Sequence, residues 1–510
     1  MTQFTFLDAL VLVAYLAGVT AWGAWLGRGQ RGGRDYFLGN RELPWGAVML
    51  SVVATETSTL TFLSIPGVAY LGTLAFLQLT LGYLLGRIVV SVVLLPAYYR
   101  GELATAYALL EDRFGTGTRR FTSGIFMVTR LMADSVRLFA TAIPLALVTG
   151  WPYPASIAVI GILTLIYTYF GGIRAVVWVD AVQLGLYMVG GFLALVALQS
   201  LVPGGWFTIL TDAGAAGKLQ ILDFSGDLSV PYTIWAGIVG GAFLTMGSHG
   251  TDQLIVQRLL TCKDLRASQK ALIWSGFAVI VQFFLFLVVG LGLWRYYQGR
   301  AFPLSDEIFA RFIVEALPPG ITGLLIAGIF AAAMSSLSSS INSLASASAY
   351  DFWGPLVGTD DDERILRAGR VFTLLWAGAL ILGAIVFIPL GQGAAAVEVA
   401  LGIASLVYGG LLGAFFLGIA APRAGSVGAV TGMIVGIGTV TVIWTVARTE
   451  VAWPWFVLVG TVVTLVVGWG VGKTAGRSPG PDDEARGHGE PAVGSGRPAG
   501  ESGESSTSGP

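Results

Sequence analysis

The chain has 510 residues, 55% of them hydrophobic and 12% charged, with a mean hydropathy of +0.76. A soluble domain is about one-quarter charged, so this composition predicts an integral membrane protein. The formal net charge of −1 gives no electrostatic basis for nucleic-acid binding, while one cysteine and two histidines argue against a disulfide and against a cysteine- or histidine-rich metal cage.

Crossing about 30 Å of hydrocarbon takes about 20 apolar residues. Windows of that kind fall at 7–27, 46–71, 73–98, 121–149, 154–171, 177–202, 232–256, 272–297, 320–348, 369–390, 396–420, 425–446 and 452–473, thirteen in all. The first has no basic stretch ahead of it and runs directly into Arg28 and Arg34, which predicts a retained span rather than a cleaved signal. With the N-terminus outside, 21 of the 29 Lys and Arg residues fall in cytoplasmic segments and five outside. The excess of basic residues inside therefore predicts an N-out, C-in, multi-pass protein of the cell membrane. Residues 1–473 read as one transporter domain, and 474–510, rich in Gly, Ser, Pro and Glu, as a disordered cytoplasmic tail. No GxxxxGK[ST] occurs, so the chain carries no ATP-driven motor pattern.

In chain order, the first anomaly is ATETST in the middle of the second window, followed by Pro66-Gly67. An interrupted helix there frees backbone carbonyls at membrane depth, and Glu56 is an ionisable side chain where lipid tolerates none without a purpose. Arg130, Asp134 and Arg137 follow at i, i+4 and i+7, so that Asp134 can neutralise either arginine or leave Arg137 for a solute carboxylate. Asp180 lies six residues beyond Arg174, about 9 Å along a helix and so inside the membrane. Asp252, in HGTDQLIVQRLL, reads as structural. The densest signal is AAAMSSLSSSINS: Ala332, Ser335, Ser336, Ser339 and Ser343 share an arc of roughly 100° on a helix. Small residues pack helices closely, but a one-sided row of hydroxyls beside a broken helix and buried carboxylates also supplies hard oxygen ligands for a monovalent cation.

The pieces ATETSTLTFLSIPG, ALLEDRFG, FGGIRAVVWVDAVQ, TDQLIVQRLL and AGIFAAAMSSLSSSINSLASASAYDFW, in that order between about Phe6 and Lys473, resemble the sodium:solute symporter family, which contains sodium-glucose, proline and sialic-acid transporters. The resemblance implies an all-α membrane protein of 13 transmembrane helices. These would form a leucine-transporter-type 5+5 inverted repeat, at about 46–202 and 232–420, with one extra N-terminal and two extra C-terminal helices. By motif position it implies a first sodium site on the backbone of Ala54, Thr57 and Ala332 and the hydroxyls of Ser335 and Ser336. A second site, found in some members, would use Asp180, Ser335, Ser338 and Ser339. Ser340 and Ser343 are left to helix packing.

For the solute cavity the resemblance points to Glu56, Thr61, Arg137, Ser248 and Leu401. The sugar-transporting branch has asparagine, histidine, tyrosine and glutamine at the positions of Glu56, Thr61, Ser248 and Leu401. The proline branch has a carboxylate at the position of Glu56, and the sialic-acid branch uses an arginine near Arg137. An organic acid or amino acid is thus expected over a sugar. The function implied is sodium-coupled symport of a small polar solute by alternating access, with sodium as coupling ion, no cofactor, no enzymatic activity and a monomeric chain. Two alternatives stand beside it: a transport-like membrane sensor that binds without moving its ligand, and a symporter coupled to protons.

Overall fold

A computed structural model describes residues 4–474 except 31, 101–102, 304, 389–395, 422–423 and 448. The predicted tail lies outside the described residues apart from Thr474, where the last helix ends.

The described chain is all helical, its single β contact being an isolated parallel bridge between Leu43 and Cys262. The principal helices are α1 (Phe6–Leu26), α2 (Trp45–Glu56), α3 (Thr59–Leu71), α4 (Leu77–Val89), α5 (Thr116–Thr149), α6 (Tyr153–Leu201), α7 (Gly241–Gly250), α8 (Gln253–Leu259), α9 (Leu265–Tyr296), α10 (Ile321–Ala347), α11 (Asp362–Phe387), α12 (Ala396–Ala420), α13 (Ser426–Val446) and α14 (Phe456–Thr474). Nine helical stretches among the described residues are long and apolar enough to cross a membrane, and ten if the bent pair α2–α3 counts as one span.

Three breaks shape the fold. α2 ends at Thr57, whose ψ of 89° leaves the helical region, and α3 restarts after Ser58 at an angle of 60° to it. α7 and α8 are parted at Thr251–Asp252, where the Asp252 carboxylate accepts the Leu254 N–H and caps the second piece. α6 is broken at Gly172, with φ 52° and ψ −156°, a conformation that glycine alone adopts without strain. A Cβ there would also meet the Tyr36 carbonyl oxygen at 2.6 Å. The 49 residues of α6 would measure about 74 Å if straight. The break at Gly172 parts it into two helical pieces.

α10 sits at the centre. Its apolar window is 89% buried within the protein, against 22% for α1 and for α11. Every serine from Ser335 to Ser346 is buried on it, which fits hydroxyls facing other helices and not lipid. α10 packs on α6, α1, α5 and α3, and the hydroxyl of Thr59 donates to the Ile329 carbonyl at 3.2 Å to tie the α2–α3 break to it.

Candidate ion and solute site

At the α2–α3 break the Ser58 N–H donates to the Glu56 carbonyl at 3.1 Å, so the Ala54 carbonyl loses the donor a continuous helix would give it. The Thr57 hydroxyl donates to Val53 O at 2.9 Å and receives Gln282 Nε2 at 2.5 Å. Across from this break stands the serine face of α10. Ser336 Oγ donates to Ala332 O at 3.2 Å, and Ser335 Oγ is buried with no hydrogen-bond partner. A small cavity of about 10 Å³, the size of one water or one dehydrated cation, joins the two: Ser58, Thr59, Ser336, Asp134, Arg137 and Thr141 line it. Of the residues expected for a first cation, Ser336 lines this cavity, while Ala54, Thr57, Ala332 and Ser335 do not.

The second predicted set is brought together too, but with a cation already in it. Asp180 Oδ2 accepts Ser51 Oγ at 2.6 Å and Arg258 Nη2 at 3.2 Å; that same Nη2 bonds Ser339 Oγ, which also donates to Ser335 O at 2.6 Å. Ser338 donates to Ser335 O at 3.0 Å, and Asp180 Oδ1 is buried without a partner. Arg258, counted among the cytoplasmic loop charges from sequence, is instead fully buried. An unpaired charge there would cost several kcal/mol, so its place is set by Asp180.

Glu56 and Arg137 do not meet. Glu56, its side chain 19% exposed, forms an ion pair with the fully buried Arg87. Arg87 Nη2 also lies 3.1 Å from His249 Nε2, and Arg87 Nε donates to Ser275 Oγ at 3.1 Å. Because a guanidinium only donates, Nε2 is the acceptor and the ring proton sits on Nδ1, pointing to Ser248 Oγ at 2.8 Å. Glu56 and Ser248 therefore belong to one cluster at the meeting point of the two broken helices. Arg137 belongs to another: it donates to Asp134 at 2.8 Å, while Arg130 bonds Asp252 and the Tyr408 hydroxyl. Ser340, assigned to packing from sequence, donates to the Asp134 carboxylate and so orients the partner of Arg137. Ser343 bonds only its own helix, at Ser340 O, as packing requires. Thr61 is half-buried on α3, and the Leu401 side chain lies outside the described residues.

Sequence reasoning missed Arg87, His249, Arg258 and Tyr408 as members of these clusters. For Arg258 a signal was present: LIVQRLL is apolar apart from Gln257 and the arginine itself, unlike a loop.

Broken helices apposed at mid-molecule, a hydroxyl-lined cavity between them and many apolar spans define a membrane transporter of solutes. The chain belongs to the sodium:solute symporter family, whose family model matches residues 36–436. It is 29% identical over 475 residues to the sodium/sialic acid symporter NanT of Aliivibrio fischeri, covering 92% of this chain and 93% of that one. It is also 29% identical to sodium-coupled monocarboxylate transporter 1 of Xenopus laevis, over 85% of this chain and 71% of that one. Among solved structures, a substrate-bound, outward-open Na+-coupled sialic acid symporter superposes with a TM-score of 0.83 at 29% identity, covering 92% of this chain and 98% of that one. A nucleobase-cation-symport-1 family transporter shares the fold, with a TM-score of 0.55 at 13% identity. The family and these relatives are transporters and not enzymes, and they support sodium as the coupling ion for this multi-pass membrane protein.

Proposed function

We propose that this chain imports a small organic acid together with sodium by alternating access. The observation that carries the reading is the cavity in which Ser336, the α2–α3 break and Arg137 meet, because it puts cation ligands and a guanidinium for a carboxylate side by side. Sodium is held at Ala54, Thr57, Ala332, Ser335 and Ser336, bridging the broken helix to α10. Asp180, Ser335, Ser338 and Ser339 form a second cation site only in a state where Arg258 swings away. The sialic acid and monocarboxylate named for its relatives are both carboxylates, which fits Arg137 as the solute anchor.

Charge balance favours an anion over an amino acid. Arg87, Arg130, Arg137 and Arg258 face Glu56, Asp134, Asp180 and Asp252 in the interior, each arginine within 4 Å of a carboxylate, so the set sums to zero. An entering sodium makes it positive, and a monoanion restores neutrality where the dielectric is low. Each ligand thereby raises the affinity for the other, and loss of sodium to the cytoplasm releases the solute.

The reading takes the chain as 13 spans, N-out and C-in, with a 5+5 inverted repeat at about 46–202 and 232–420 and a cytoplasmic tail from 474. Support comes from the break of the long α6 at Gly172 and from breaks in α2–α3 and α7–α8, one in each half. The test is uptake of radiolabelled organic acids, amino acids and sugars into proteoliposomes. Accumulation of an acid driven by an inward sodium gradient is expected. Binding without accumulation points to a sensor, and uptake driven by a pH gradient in sodium-free medium to a proton symporter; either result overturns the proposal.

A further inference from the structure

A cleft of about 510 Å³ lies far from this site, between the end of the serine helix and the start of α11. After α10 the chain continues through a wide turn, Ser348–Trp353, into Gly354–Val357 before it reverses into α11. The cleft has two chemically distinct ends. Arg364 and Arg367 form one, on the first turns of α11; Trp353, Val357, Val371 and Phe372 form the other. Residues 364, 367 and 371 follow i, i+3 and i+7, so they share one helix face, and the face changes from cationic to apolar over about 10 Å. Beyond it α11 presents Leu374, Leu375, Leu382 and Val386 outward, 47–67% exposed, as a lipid-facing surface requires.

The two guanidiniums lack a committed counter-charge. Arg367 is exposed and forms no hydrogen bond or ion pair among the described residues, and Arg364 reaches Asp361 only at 3.9 Å with both side chains more than half exposed. Four carboxylates, Asp360 to Glu363, precede them in the chain; Asp361 Oδ1 accepts the Glu363 and Arg364 N–H groups as a helix cap, Asp362 Oδ1 accepts the Arg34 N–H at 2.9 Å, and the 3.9 Å Asp361–Arg364 contact is the one ion pair they make with either guanidinium among the described residues. Two adjacent arginines repel each other, and one phosphate between them would satisfy both. A tryptophan at the same level is the side chain favoured at the boundary of water and hydrocarbon.

We propose that this cleft binds an anionic phospholipid, its phosphate between Arg364 and Arg367 and an acyl chain along Val357, Val371 and Phe372. A soluble phosphate matches only the cationic end, and a zwitterionic lipid offers the two guanidiniums no net negative charge. The full-length protein in detergent is titrated with phosphatidylglycerol, phosphatidylcholine and inorganic phosphate, reading thermal stability and, by native mass spectrometry, retained lipid. Phosphatidylglycerol is expected to stabilise and to be retained, with neither effect from the other two. Affinity for it should fall roughly tenfold or more in Arg364→Gln/Arg367→Gln, with sodium-dependent stabilisation unchanged. Arg364→Lys/Arg367→Lys, which keeps the charge, should retain most of the binding and covers a failure of the first variant to fold. Equal effects of phosphatidylcholine, stabilisation by phosphate alone, or full phosphatidylglycerol binding in the glutamine variant would each overturn the proposal.

Discussion

Ser335 and Ser336 lie one turn of α10 from Ser338 and Ser339, and the two pairs share chemistry and burial, yet what faces them differs. Beside Ser336, in the first pair, is a broken backbone with a carbonyl lacking its helical donor and a cavity of about 10 Å³. Opposite the second is the guanidinium of Arg258, bonded to Ser339 and to Asp180. Like oxygens thus face a small cavity in one place and a tethered guanidinium in the other. The contrast shows that ligand type alone does not make an ion site; the charge already within reach decides whether an exchangeable ion has work to do.

The strongest way to break this comparison is Asp180→Asn. If Arg258 depends on it, the variant leaves a buried guanidinium without its counter-charge and should lose about 3–5 kcal/mol of stability, read by thermal unfolding in detergent. Adding Arg258→Gln should recover much of the loss. A stable Asp180→Asn protein with an altered sodium Hill slope would instead mark the second pair as an exchangeable site like the first.

A smaller effect sharpens the comparison from within the serine row. Ser340 donates to the Asp134 carboxylate, so Ser340→Ala should cost about 1.5–3 kcal/mol and weaken solute binding through Arg137. Ser343 bonds only its own backbone, and Ser343→Ala should stay within about 0.5 kcal/mol in the same unfolding assay. Equal effects of the two would dissolve the distinction.

Ser336→Ala isolates the first pair. Losing one neutral ligand should raise the sodium concentration for half-maximal uptake about tenfold, with thermal stability in the absence of sodium little changed. An unaltered sodium dependence would remove Ser336 from the ion site.

Much of the architecture was legible in the residues themselves. Hydropathy marked the spans, the polar run ATETST before Pro66-Gly67 marked the first break, and the spacing of the serines placed them on one buried face of α10. These are local properties, because periodicity and transfer from water are fixed by neighbours in sequence. Pairing among the charges was not legible. Glu56 looked like a solute ligand until Arg87 was found beside it, Arg258 looked like a loop cation, and Ser340 looked like packing. Their partners lie 31, 78 and 206 residues away in the chain. Inside a low-dielectric protein a charge is governed by whichever opposite charge stands within about 4 Å, and only the folded arrangement of helices sets that distance. The sequence by itself therefore determined a broken-helix membrane protein with an oxygen-lined centre, and the tertiary structure decided which of those oxygens are already bonded to an arginine or a carboxylate.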